Sequence, residues 1–126
     1  MNIKESINKA IPHLLKCQYD DGHFEGELSS NTFPTSAYAL VQLDLDQPID
    51  DRLMDWFEKN QNESGYWGLD AAGGSDNEAT LLAKLALMEI DEKVNDQRIE
   101  AILKKIPDLK LNQWLVKLIY ARYGYV

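Results

Sequence analysis

Cysteine is nearly absent from this sequence. The one thiol, Cys17, has no partner within the chain, which excludes an internal disulfide framework and predicts a reducing, cytoplasmic setting. Basic side chains are also scarce: 13 lysines and arginines stand against 21 acidic residues, for a net charge of −8. That balance excludes nucleic acid as the main partner, because phosphate recognition needs clustered positive charge. No apolar run approaches the ~20 residues that cross a bilayer. The opening stretch, MNIKESINKAIPHLL, lacks the long apolar segment and small-residue cleavage site of a signal peptide. What remains is 44% hydrophobic and 27% charged over 126 residues, the composition of a single globular domain spanning residues 1–126.

The charge is unevenly distributed. Residues 1–92 hold 18 acidic and 6 basic side chains, whereas residues 93–126 hold 3 acidic and 7 basic. A solvated basic face is the plain use of such a stretch. The sharper uses are docking of an acidic partner or peripheral contact with a lipid headgroup layer.

The chain repeats itself. Leu14-x3-Gln18-x3-Gly22-His23-Phe24 is echoed by Phe57-x3-Gln61-x3-Gly65-Tyr66-Trp67, each position displaced by 43 residues. Ile11 matches Met54, and His13 matches Trp56. A third copy at the same offset meets Lys104 and Asp108, so the third unit has lost the motif. The repeats cover about 3–45, 49–90 and 95–123.

Within each unit the apolar spacing is helical. Ile3, Ile7, Ala10, Ile11, Leu14 and Leu15 form one stripe, with Pro12 predicting a kink or a split. Further helices are predicted from Pro34, in a first turn where its missing N–H costs little, to about Leu45 and from Ile49 to Gln61. Ser75-Asp76-Asn77-Glu78 reads as a capping box ahead of Ala79–Ile90. Asn95 reads as the cap of a helix stopped by Pro107, and a sixth helix covers Leu111 to about Tyr123. The fold class is all-α: three antiparallel α-hairpins stacked in sequence.

The repeated motif reads as a structural device. Gly22 and Gly65 permit the positive φ that ends a helix. Phe24 and Trp67 fold back over the helix end, and Gln18 and Gln61 serve backbone groups at a neighbouring helix terminus. Neither glutamine nor indole titrates near neutral pH, so the clamp itself does no acid–base chemistry.

These residues resemble the Q-x-x-x-G-x-W repeats of the class II terpene cyclases, the squalene–hopene cyclase family. CQYDDGHFEGELSSN is similar to that family's first helix end and loop, and WFEKNQNESGYWGLDAAGGSDNEATLLAKLALMEI to its second repeat, glycine-rich loop and next helix. LNQWLVKLIYARYGYV resembles the helix that leads into an aromatic turn. The resemblance covers nearly all of this chain but only the leading part of a full-length cyclase. It implies part of an α/α toroid, shared with prenyltransferase β subunits, and an isoprenoid substrate or ligand. It also implies that the initiating acid, a D-x-D-D motif, belongs to a later region of the family. Asp44-Leu45-Asp46-Gln47 is the nearest string here; it lacks the fourth aspartate and falls between repeats. A solvated carboxylate with a pKa near 4 is in any case a poor acid toward an alkene. No catalytic residue, cofactor or metal is therefore assigned.

Other candidate chemistry is thin. Asp20, Asp21, His23, Glu25 and Glu27 crowd one loop without the order of a calcium loop or the spaced ligands of zinc, and the zinc set of Asp, Cys and His used by prenyltransferases is missing. His13 is expected to pack where Trp56 packs in the second repeat, and Cys17 to be structural. Trp114, Tyr120 and Tyr123 are expected roughly on one helix face, with Tyr125 following, to serve as a core stripe or an isoprenoid lining. The last helix carries more apolar residues than one face hides, which predicts a homodimer or a second cyclase-like chain as partner. The expected function is an amino-terminal helical domain, inactive alone, that contributes to a polyprenyl or triterpene cyclase; the alternative is a stand-alone protein- or isoprenoid-binding α-hairpin module.

Overall fold

Apolar spacing of three and four residues closes into helices throughout the described residues. A computed structural model describes residues 2–25, 32–69 and 74–126. It contains α1 (Ile3–Cys17), α2 (Thr32–Asp44), α3 (Asp51–Asn60), α4 (Asn77–Lys93), α5 (Gln97–Lys105) and α6 (Trp114–Arg122). Among the described residues there is no strand, only two isolated antiparallel bridges, Gln18 with Phe24 and Trp67 with Asp76.

Two layers follow from two kinds of helix. The even-numbered helices are apolar on more than one face and form the inner layer, with α4 packed along α2 and also against α5 and α6. Helix α4 is the centre: Ala79 through Leu87 are buried except Lys84, and Ile90 is buried a turn later. The odd-numbered helices are amphipathic. Helices α3 and α5 meet each other in the outer layer and turn Met54, Phe57, Ile99 and Ile102 inward.

Helix α1 has the amphipathic pattern of an outer helix and yet buries no residue. Its regularity is local: the Asn2 side chain accepts from the Glu5 N–H at 2.9 Å, and the Glu5 carboxylate accepts from the Asn2 N–H at 3.2 Å, a reciprocal capping box. Of the two expectations at Pro12, the split does not occur. The helix runs through it, and the carbonyl deprived of a donor, that of Asn8, belongs to an exposed residue that solvent can serve.

Several boundaries move for identifiable reasons. The α4 cap is Asp76, whose carboxylate accepts from the Ala79 N–H at 2.7 Å, because Ser75 is engaged by the Asn62 side-chain amide at 2.9 Å. The α5 cap is Asp96 and not Asn95, accepting from the Arg98 N–H at 2.9 Å while Arg98 folds back onto the same carboxylate. Helix α6 begins at Trp114, capped by Gln113 through the Val116 N–H at 2.9 Å.

Candidate functional site

The repeated motif is the most organised feature of the chain, and the second copy shows what it does. Helix α3 ends at Asn60, and Gln61 leaves it in an extended conformation. The Gln61 side-chain amide donates to the Gly65 carbonyl at 3.1 Å, closing the turn, and to the Ile102 carbonyl of α5 at 3.0 Å. One amide thus joins two hairpins, a strong use of a group that carries two donors. Gly65 has φ of +87°, and a Cβ there would lie 1.8 Å from the Lys105 carbonyl oxygen, so both backbone freedom and close approach demand glycine. Trp67 is fully buried; its indole N–H donates to the Phe57 carbonyl at 3.0 Å and its ring meets Phe57 edge-on at 6.2 Å. Asp55 and Arg98 complete the joint with an ion pair at 2.6 Å.

Sequence reasoning missed two residues of this joint. The Asn62 side-chain oxygen accepts from the Ser64 and Tyr66 N–H groups at 3.0 Å each, and N-E-S-G was a readable signal for such an Asx turn. The Thr80 hydroxyl accepts from the Trp67 N–H at 2.9 Å and donates to the Asp76 carbonyl at 2.7 Å. Nothing local in the sequence announces that second role.

The first copy has the same turn without the joint. Gln18 donates to the Gly22 carbonyl at 2.8 Å, the Gly22 N–H to Tyr19 and the Tyr19 N–H to His23, matching Gln61, Gly65 and Asn62. Gly22 has φ of +91°, but a Cβ there would meet only the Gln18 amide at 3.6 Å. Phe24 is 55% exposed where Trp67 is fully covered. In the third unit the helix-ending position, with the same extended conformation as Gln61, falls at Ile106, an offset of 45 from Gln61. A two-residue insertion therefore accompanies the loss of glutamine and glycine.

The other candidates are placed apart. His13 does not pack; it is exposed, as is Cys17, with Sγ 3.9 Å from its Nε2. Tyr19 stacks on His23 at 4.5 Å, and the His23 ring contacts Asp21 and, at 3.2 Å, Glu25. The His23 hydrogen bond holds the Asp21 carboxyl below the usual range. Asp20 is exposed on the same turn, Glu27 lies outside the described residues, and among those described no three acidic, histidine or cysteine side chains converge as metal ligands. Asp44 accepts from the Tyr123 hydroxyl at 3.1 Å and faces Arg122 at 3.5 Å, while Asp46 pairs with Lys93 at 3.2 Å.

Trp114 does not share a face with the tyrosines. It is 70% exposed, because six residues along a helix rotate it well away from Tyr120. Tyr120 is buried and donates to the Leu81 carbonyl of α4, and burial pushes its hydroxyl pKa upward. Burial first, then the bond to Asp44, pushes Tyr123 up to about 12. Between the inner helices lies an apolar groove of about 280 Å³, lined by Leu40, Val41, Leu82, Leu118 and Ile119, with Arg122 and Tyr123 at one end. No described helix is long and apolar enough to cross a membrane.

The model of the squalene–hopene cyclase N-terminal domain matches residues 7–104. Among curated relatives, squalene–hopene cyclase of Alicyclobacillus acidocaldarius subsp. acidocaldarius is 30% identical over 104 residues, covering 80% of this chain and 16% of the relative. Squalene–hopene cyclase of Zymomonas mobilis subsp. mobilis is 30% identical over 95 residues, covering 72% of this chain and 14% of the relative. The chain thus spans about one sixth of the length of these relatives. No solved structure matches it.

Proposed function

We propose, because the chain belongs to the squalene–hopene cyclase N-terminal domain family, that it is a helical scaffold of a polyprenyl or triterpene cyclase, without catalytic activity alone. The observation that carries this reading is the use to which the residues of the repeated motif are put within the chain itself: Gln61, Gly65 and Trp67 spend their polar groups and their shape on helix ends. The carboxylates nearest in pattern to an initiating acid, Asp44 and Asp46, are exposed and paired with cations. Cyclisation needs an acid strong enough to protonate an alkene or epoxide, and an exposed carboxylate in a connection between helices is poorly placed for that. The acid then comes from a second cyclase-like chain or segment bearing D-x-D-D, for which this domain is one wall. The apolar groove between α2, α4 and α6 has the chemistry to contact an isoprenoid.

The test is reconstitution. Purified chain incubated with squalene, followed by mass analysis of the lipid extract, is expected to yield no cyclic product. The same assay with a co-expressed cyclase-like chain bearing D-x-D-D is expected to yield one, and to lose it when this chain is omitted. A heat-sensitive cyclic product from the chain alone, or full activity of the second chain without it, overturns the proposal.

A further inference from the structure

Helix α4 carries one carboxylate that the fold leaves idle. With Ser75 as the cap, Glu78 would stand at the third helical position, from which its side chain reaches back to the cap N–H. The cap is Asp76, so Glu78 falls one position short of that role. Its Oε2 is buried and has no hydrogen-bond partner. None of the ion pairs among the described residues includes Glu78. A buried acceptor left open is costly, which makes this atom a place where a donor from outside the chain is worth most. Glu78 also stands at the head of the apolar groove. It lies one turn before Leu82 on the same face of α4, and Leu82 is the α4 residue of that groove, between Leu40 and Val41 of α2 and Leu118 and Ile119 of α6. Helix α6 is within electrostatic reach: after burial and Tyr125, the Glu78 charge helps to push the Tyr120 hydroxyl pKa upward.

The two ends of the groove differ in charge. Helices α2, α4 and α6 run in the same direction, since Lys93 donates to the Leu43 carbonyl at 2.8 Å and Arg122 faces Asp44 at 3.5 Å, each pair at helix C-termini. At that end the cation is already matched, with Tyr123 donating to the same Asp44 carboxylate. Glu78 is at the opposite end and unmatched. We propose that the groove binds a single apolar chain ending in an ammonium group, with Glu78 receiving the cation and Leu40, Val41, Leu82, Leu118 and Ile119 contacting the chain. This rests on the reading that the groove contacts apolar chains, and adds the charge that one end selects. An ammonium brings three donors to an oxygen that receives none from its own chain. A hydroxyl head donates without charge and forms a bond about half as strong, and a carboxylate head meets Glu78 as a like charge. A mostly apolar groove with one placed polar group is the usual arrangement by which a site fixes the orientation of such a ligand.

Probes that share one chain length and differ only in the head test this: octylammonium, octanol and octanoate. Each is titrated while leucine methyl groups are followed by NMR, with Leu82 and Leu118 reporting the groove. Octylammonium is expected to bind at least about tenfold more tightly than octanol. Glu78→Gln is expected to bring octylammonium to the level of octanol. An unchanged octanol affinity in that variant shows that the groove itself is intact. Equal affinities of octylammonium and octanol in the parent chain, or an octylammonium preference that survives Glu78→Gln, mean that Glu78 receives no cation; the inference is then wrong while the apolar groove stands. Tighter binding of octanoate than of octylammonium assigns the charged end to Arg122, and the inference is equally wrong. No shift of Leu82 or Leu118 with any probe, in the parent and in Trp114→Glu, whose added charge keeps a second copy off α6, removes the groove as a site for apolar chains and the inference with it.

Discussion

Gly22 and Gly65 share the sign of φ, and what differs is the atom opposite. At Gly22 an added methyl meets open space apart from one side-chain amide, so Gly22→Ala carries only the left-handed backbone cost, about 1 kcal/mol. At Gly65 the methyl would overlap the Lys105 carbonyl and force α3 from α5, and Gly65→Ala is expected to cost about 3 kcal/mol. Trp67→Ala removes a fully buried indole and its bond to Phe57, with an expected loss of ~3–5 kcal/mol. Thermal melts of the three variants check the order; equal melting temperatures for the two glycine variants would remove the close-approach argument. Glutamine, glycine and aromatic were legible because their spacing is fixed within one turn. The Ile102 carbonyl that Gln61 reaches was not, since a partner 41 residues away is chosen by packing and not by local pattern.

Helices announce themselves through spacing, and their first residues are decided by competition among caps. Asn2 and Glu5 spelled a capping box that went unread, while Ser75 and Asp76 offered two caps for one helix and Asn62 decided between them. The face of α6 was misread for a simpler reason. Six residues are not a whole number of turns, so Trp114 points to solvent while Tyr120 enters the core. Tyr120 ties α6 to the Leu81 carbonyl of α4, and Tyr120→Phe is expected to cost about 1 kcal/mol in denaturant titrations at neutral pH. The tyrosines also set a pH limit. Their folded pKa values are raised, with Tyr123 and Tyr125 at about 12, against roughly 10 in an unfolded chain. The stability they contribute is therefore fully present below ~10 and is lost as pH rises through the folded values, because the unfolded state ionises first. Melting temperature is expected to fall between pH 10 and 12, and less steeply in Tyr123→Phe; identical slopes would sink this assignment.

At the scale of the whole molecule, the inner and outer layers were legible as apolar versus amphipathic helices, but the exposure of α1 was not, because a stripe in sequence states only that a face wants cover. The same applies to α6. Trp114 and Leu118 lie one turn apart, 70% and 60% exposed, and Val41 of α2 stands exposed across the apolar groove that Leu118 helps to line. An apolar surface spanning two helices is costly on a free monomer, and a two-fold axis lets the same patch of a second copy cover it. The chain is therefore expected to dimerise through α6. Light scattering over at least a tenfold dilution series is expected to show a mass above 14.4 kDa that falls with concentration. Trp114→Glu and Leu118→Glu should each hold the chain at monomer mass while it still folds cooperatively, since neither side chain belongs to the core. Leu14→Asp, on α1, should leave the dimer intact, which separates this surface from the exposed stripe of α1. Monomer mass at every concentration, or dimerisation abolished by Leu14→Asp and untouched by Trp114→Glu, would place the contact elsewhere.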